Sequence, residues 1–312
     1  PMIAKAEGAY HGTYDFAEVS QYAGPPEWGA IDHPNSVPLA KGTPRGVLDN
    51  VAVFFFFFIE RTINILDQYA DKLACVLIDP VPHRVGVVKG DKEFVRALYN
   101  WTRKNNALLV FDEVVTFRVN YGGAQQDYPV RPDLTALGKI IGGGLPVGAF
   151  GGRADVMQVL DPGQKNLPFP HSGTFSANPM TMTAGKVAME LYGREVVRQI
   201  NAATQQAIAQ VQEAIRLADV PFSITGSGSM FRIHLRPKPP TCYREAYQPP
   251  GQKAVINKLL DYLFYQENIM MINTLSCMLS TVTGQKEIDR LASAMLNAFK
   301  AHKNDIDNLN LT

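Results

Sequence analysis

Three short stretches carry the side chains that could do chemistry. LACVLI runs into Asp79-Pro80, LLVF into Asp112-Glu113, and LTALG into Lys139, which is followed at once by a glycine-rich run. A lysine amine adds to a carbonyl carbon once it is desolvated and has lost its proton. A carboxylate facing a pyridine-type nitrogen keeps that nitrogen protonated, so the ring draws electrons from what is attached to it. Glycines beside the lysine leave room for a flat ring near the backbone, and an aromatic side chain can stack on such a ring. Each residue also has a plainer reading. An aspartate at a strand end is commonly a cap or turn residue, and a lysine before glycines is commonly a solvated charge. The run GKIIGGGLPVGAFGG could suggest a dinucleotide loop, but that fingerprint needs a following helix, and Pro146 stands in the way.

The elements that must position these groups follow from the apolar pattern. Residues 2–6, 51–57, 73–78 and 107–111 read as strands, short apolar runs bounded by turn or charged residues. Helical patterns over 59–71 and 92–104 lie between them, the second with Phe94, Val95, Leu98, Tyr99 and Trp101 on its apolar side. This alternation predicts a parallel sheet with crossover helices, and runs such as LACVLI and ALLVF suit strands covered on both faces. In such sheets ligands collect beyond the carboxyl ends of the strands, where both acidic pairs fall. Helices are expected at 179–192 and 196–217, the latter polar enough to bridge two domains. Short strands at 222–225 and 230–235, a helix at 252–267, a strand at 269–272 and a helix at 285–301 then make an α+β region. The expected division is a large α/β domain, residues 1–195, and a smaller α+β domain, residues 196–312. Residues 237–250 read as a proline-rich loop, and the polar tail 302–312 is expected to fray.

Composition narrows the classes. With 46% hydrophobic and 19% charged residues the chain is globular rather than disordered, and a net charge of +1 gives no case for nucleic acid or an anionic membrane. Cys75, Cys242 and Cys277 are odd in number and form no CxxC pair, which argues against a disulfide framework or a zinc site and fits reduced thiols in the cytoplasm. No signal peptide or membrane span is legible. Five consecutive phenylalanines, Phe54 to Phe58, have no sequence-level explanation and would promote aggregation if exposed.

Together, LLVFDEVVTFR, PDLTALGKIIGGGLPVGAFGG and HSGTFSANPMTMTAGKVAMELY, in that order, resemble the class III aminotransferases of pyridoxal-phosphate (PLP) fold type I. The likeness extends to glutamate-1-semialdehyde aminomutase and its aminotransferase relatives and covers nearly the whole chain. It implies an α/β large domain with a mainly parallel sheet, a smaller α+β C-terminal domain, PLP as cofactor, and a small-molecule amino donor and keto acceptor. By position, Lys139 matches the Schiff-base lysine and proton carrier, and Asp112 the partner of the pyridine nitrogen. Val114 matches the residue under the ring and Tyr10 the aromatic over it, with His11 and Gly12 beside it. Thr174 matches the threonine that reaches the phosphate of a neighbouring subunit, which implies a homodimer with shared active sites.

The chain also departs from the family. It begins at the YHG block, so the segment carrying the main phosphate loop is expected to be missing. The usual Glu-Pro-Val is Asp79-Pro80-Val81, and Arg84 stands where the aminomutase has an asparagine near the phenolic oxygen, able to serve that oxygen or a substrate carboxylate. Leu275 stands where the aminomutase has a glutamate, and DEVVTFR is one residue shorter than its counterpart. The expectation is therefore an aminotransferase acting on an amino acid or amine. The alternatives are the aminomutase and a non-catalytic or truncated fragment of such an enzyme.

Overall fold

The computed structural model describes residues 1–309 and 311, and its contacts divide the chain into two units, Pro1–Pro80 with Gly90–Gly193, and Val81–Lys89 with Arg194–Thr312. In the first unit, β1 (Met2–Ala6) is followed by α1 (Asp15–Glu18), a two-residue hairpin of β2 (Gly29–Ala30) and β3 (His33–Pro34), and α2 (Arg45–Asp49). Then come β4 (Val51–Phe54), α3 (Ile59–Asp67), β5 (Leu73–Ile78), α4 (Lys92–Lys104), β6 (Leu108–Asp112), β7 (Leu134–Gly138), β8 (Gly148–Gly152), α5 (Ala154–Met157) and α6 (Pro179–Leu191). The central sheet has the order β4-β1-β5-β6-β7-β8, parallel except for β8 against β7. The parallel α/β expectation is met, and five neighbouring strands, β4, β1, β5, β6 and β7, send their carboxyl ends to one edge.

The core follows from strand alternation. Phe54 and Ala52 of β4 join a cluster with Phe94, Leu98, Leu109 and Phe111, while Val51 and Val53 face the opposite way onto Val19 and Val47. Helix α4 starts on Asp91, whose side chain accepts from Glu93 N. Its buried stripe, Phe94, Val95, Leu98 and Trp101, is the apolar side the sequence predicted. The phenylalanine run does not continue the strand to residue 57 as expected. The strand stops at Phe54, Phe55 and Phe56 are buried, and Phe57 turns the chain with φ +74°. Phe56 packs against Phe94 at 5.0 Å between ring centroids, and Phe55 O accepts from Thr62 Oγ1 at 2.6 Å. The run therefore fills the corner between the sheet and α3.

The second unit holds α7 (Arg194–Leu217), β9 (Ser223–Ser227), β10 (Met230–His234), α8 (Tyr243–Ala246), α9 (Pro250–Tyr265), β11 (Ser276–Met278), α10 (Gln285–Ala301) and α11 (Lys303–Asp307). Its sheet is antiparallel with order β11-β10-β9. Several expectations are corrected here. Residues 269–272 form no strand; the third strand is β11, which pairs with β10 from residue 276 onward. The proline-rich 237–250 loop contains α8. Helix α7, expected as a bridge, buries Val197, Ile200, Ala207, Val211 and Ile215 within this unit, where it packs along α10. The tail does not fray throughout: α11 buries Ile306 among its polar neighbours, while residues 310 and 312 lie outside the described residues.

Candidate active site

The site grows from the carboxyl edge of the first unit's sheet. In β6 and β7 the register pairs Asp112 with Ala136, and Lys139 follows two residues after Leu137 on the same strand end. Lys139 is exposed and opens a 3-10 turn with φ +50°, a left-handed conformation that non-glycine residues rarely adopt. Such a residue costs about 1–3 kcal/mol and persists only where its surroundings hold it, which is common at functional sites. What holds it is close backbone packing against α6. A Cβ on Gly185 would lie 2.2 Å from Ile141 O, and one on Gly143 would lie 2.3 Å from Ala184 O. Of the triple glycine after Lys139, Gly142 and Gly143 are occupied by contact with Val147 and α6, while Gly144 has open space on its Cβ side.

Asp112 is nearly buried and oriented at both oxygens. Oδ2 lies 2.7 Å from His11 Nδ1, and Oδ1 accepts from Val114 N at 3.0 Å. A carboxylate oxygen only accepts, so His11 Nδ1 is the donor. The His11 side chain is 2% exposed, and its other nitrogen, Nε2, is buried with no hydrogen-bond partner. A buried ring nitrogen left unsatisfied beside an anchored carboxylate marks a place suited to a polar group that the chain does not itself supply. Val114 reaches across to β7, since a Cβ on Gly138 would lie 3.2 Å from Val114 Cγ1. Gly12 has φ +91° and open space on its Cβ side, and Tyr10 is 37% exposed.

Successive residues alternate sides, so Glu113 points away from the groups that hold Asp112. It accepts from Ala124 N at 2.6 Å and Gln125 N at 2.9 Å, fixing the 3-10 turn at Ala124–Asp127. Burial pushes its carboxyl up to about 7 despite those bonds, with Asp79 adding a smaller push. This supporting role was missed at the sequence level; the signal was the second acid of the pair directly after a buried strand. Asp79 is buried at the end of β5. Beyond it, Pro80 O and Gly90 O both lie within reach of Tyr128 Oη, at 2.7 and 3.2 Å, which clamps the start and finish of the 81–89 excursion.

Two further sequence candidates lie elsewhere along the chain. Arg84 is in the 81–89 segment, part of the second unit. Thr174 is exposed in the turn before α6, a helix capped by Asn178, whose Oδ1 accepts from Met180 N and Thr181 N. The carboxyl-edge cluster of Asp112, His11, Val114, Tyr10 and Gly12 with Lys139 nearby in register is a donor set that suits PLP: an anchored carboxylate, an amine, and apolar and aromatic neighbours.

The fold and sequence of known proteins agree. An omega-transaminase from Sphaerobacter thermophilus superposes with a TM-score of 0.93 at 41% identity, covering 98% of this chain and 69% of that one. A transaminase with PLP bound superposes at 0.85 with 32% identity, covering 99% and 68%. The architecture is thus the α/β fold type I of PLP-dependent transaminases. The glutamate-1-semialdehyde 2,1-aminomutase of Pyrobaculum neutrophilum is 35% identical over 237 residues, 75% of this chain and 54% of the relative, so the match spans about half of that protein's length. Residues 3–298 match the family "Aminotransferase class-III", and the chain belongs to it.

Proposed function

We propose that this chain carries the catalytic core of a PLP-dependent aminotransferase that moves an amino group between an amino acid or amine and a keto acid or aldehyde. The observation that carries the reading is the pairing of β6 and β7, which sets an anchored Asp112 beside the strand end that delivers Lys139. PLP, when bound, supplies an aldehyde for the lysine and a ring that withdraws electrons from the carbon bearing the amine. Asp112 would hold a proton at the ring nitrogen, with His11 Nδ1 and Val114 N keeping its oxygens aimed. Val114 would pack under the ring and Tyr10 over it, with Gly12 leaving space and His11 Nε2 available to a bound polar group. Lys139 Nζ would take the proton from the substrate carbon and return it, as general base and then acid. Asp79 would serve the same edge, and Arg84 the phenolic oxygen or a substrate carboxylate.

Helix α6 leaves Met180, Met182, Val187 and Leu191 exposed, and Phe175 beside it is 83% exposed. An apolar helix of this kind is normally covered, which supports a homodimer in which Thr174 serves the partner's phosphate. Cys75, Cys242 and Cys277 form no disulfide among the described residues, which suits a cytoplasmic setting. We take 1–195 and 196–312 as the cofactor-binding and small domains, with 81–89 grouped with the latter.

The test is the absorbance spectrum of the chain with added PLP, before and after borohydride reduction, with mass mapping of the modified residue. A visible band and an adduct on Lys139, both absent in Lys139→Ala, are expected. No adduct in a folded wild-type sample would overturn the reading in favour of a non-catalytic fragment. A second reading, the aminomutase, is favoured by the Pyrobaculum relative. Leu275, fully buried where that enzyme type carries an acid, argues the other way. Isomerisation without added keto acid would select the mutase.

A further inference from the structure

After β1 the chain makes a loop, Gly8 to Ser20, that carries Tyr10, His11 and Gly12 and includes α1. Gly8 N donates to Ser20 O at 2.9 Å, so the two ends of the loop meet. Lys5 of β1 lies at this neck, and its side chain is fully buried. Lys5 Nζ donates to Ala9 O at 2.9 Å and to Val19 O at 2.6 Å. One ammonium therefore ties the outgoing limb of the loop to the returning one. The exit is fixed in turn: Ser20 Oγ donates to Asn35 O at 2.7 Å and accepts from Val37 N at 3.0 Å.

Burying an ammonium is costly unless its N–H groups are satisfied, so a fully buried lysine commits its donors to the structure around it. Lysine brings three donors on a flexible stem, and hydrogen bonds from a charged donor are about twice as strong as neutral ones. Compact loops with close ends keep their shape through such internal bonds. The next residues along the chain give the bond to Ala9 O its consequence, because Ala9 directly precedes Tyr10 and His11. Asp112 stands on β6, two strands from β1 with β5 between them, about 10 Å away at the usual strand spacing. The loop must deliver His11 across the end of β5, and it does so closely enough for Nδ1 to lie 2.7 Å from Asp112 Oδ2. A hydrogen bond weakens steeply with misalignment, so the point from which His11 reaches out has to be fixed.

We propose that Lys5 is a positioning residue of the candidate active site: by closing the neck of the 8–20 loop it holds His11 on Asp112. Lys5 acts through the backbone of the loop, at Ala9 O and Val19 O, and His11 carries the effect to the carboxylate. Its consequence for PLP rests on the aminotransferase reading, in which Asp112 faces the ring nitrogen. Its consequence for His11 does not depend on that reading. A lysine that merely completes the core would stabilise the whole first unit without singling out this loop.

The test compares wild type with Lys5→Met, made alone and together with Glu7→Gln, since Glu7 is buried two residues further along the same face. Without PLP, diethylpyrocarbonate modification is mapped by mass spectrometry. His11, with its side chain 2% exposed, should react slowly in wild type relative to the exposed His33. In Lys5→Met that ratio should rise by about tenfold or more. Hydrogen exchange should quicken over residues 8–20 while residues 108–112 keep their protection. A His11 that stays protected in the folded variant, or exchange that quickens equally in both segments, would overturn the proposal. If neither variant folds, wild type in rising urea decides: Lys5 acylation and His11 modification should appear together, before residues 108–112 lose protection, and His11 reacting while Lys5 stays protected would overturn it. With PLP, Lys5→Met and His11→Phe should each weaken cofactor binding by about tenfold. Adding Lys5→Met to His11→Phe should cost less than about threefold more, because the first acts through the second. Losses that multiply would mean that Lys5 does not work through His11. A wild-type chain that forms no Lys139 adduct strikes the aminotransferase reading alone and leaves the His11 and exchange comparisons to decide the role of Lys5.

Discussion

Two parts of the first unit both carry large apolar side chains and leave them in opposite states. Strands β5 and β6 place Val76, Ile78, Leu109 and Phe111 fully inside, and their ends carry the acids Asp79, Asp112 and Glu113, all buried. The stretch from β8 to α6 contains Phe150, Phe169, Phe175, Met180 and Leu191, all substantially exposed. Its ties to the rest include the β8 ladder with β7 and polar contacts. Arg153, just after β8, shares Asp133 with Arg103, and Asp133 also accepts from Leu109 N at 2.7 Å. A large apolar side chain is therefore not buried by its type alone; its neighbours decide. A strand flanked by two others and covered by helices has a core supplied locally, whereas an edge strand and a helix with one packed side need a surface from elsewhere.

The contrast can be broken most directly at Phe111. Phe111→Ala removes a ring packed against Tyr128 and the core cluster, and should cost about 3–5 kcal/mol in chemical denaturation. A loss near that of a surface site would mean the sheet interior is far looser than its burial implies.

A smaller effect should come from Glu113. The folded chain holds its proton up to about pH 7, whereas an ordinary glutamate releases it near 4.5. Between those values the folded state binds more protons than the unfolded state, so stability falls as pH rises through the window and levels off above it. Melts of wild type should lose a few degrees between pH 5 and 7, and Glu113→Gln should flatten that slope. A wild-type Tm that climbs across the window would mean that the two backbone N–H groups, not burial, govern this acid.

The smallest expected effect is at the exposed end. Phe175→Ser in dilute chain should change stability by less than about 0.5 kcal/mol, as surface substitutions do. The comparison sharpens if the same substitution lowers Tm at high protein concentration, because that dependence identifies a second copy as the missing cover.

Local sequence determined much of this protein. The strand over 73–78 and the helices over 92–104 and 285–301 begin and end where apolar periodicity and caps put them. The motif blocks around Asp112 and Lys139 carried the family. Their chemistry was legible because the residue types and their order survive as a linear pattern. Tertiary structure decided the rest. Phe54 to Phe58 make a strand end, a turn and a corner because α3 and α4 supply rings to pack against. Residues 269–272 are as apolar as many strands but have no neighbour to pair with, while residues 276–278 do. His11 meets Asp112 across an interval of 101 residues only because β1, β5 and β6 lie side by side in one sheet. Spacing along the chain fixes what a segment can form locally, but pairing and burial are properties of neighbours that the chain reaches only by folding.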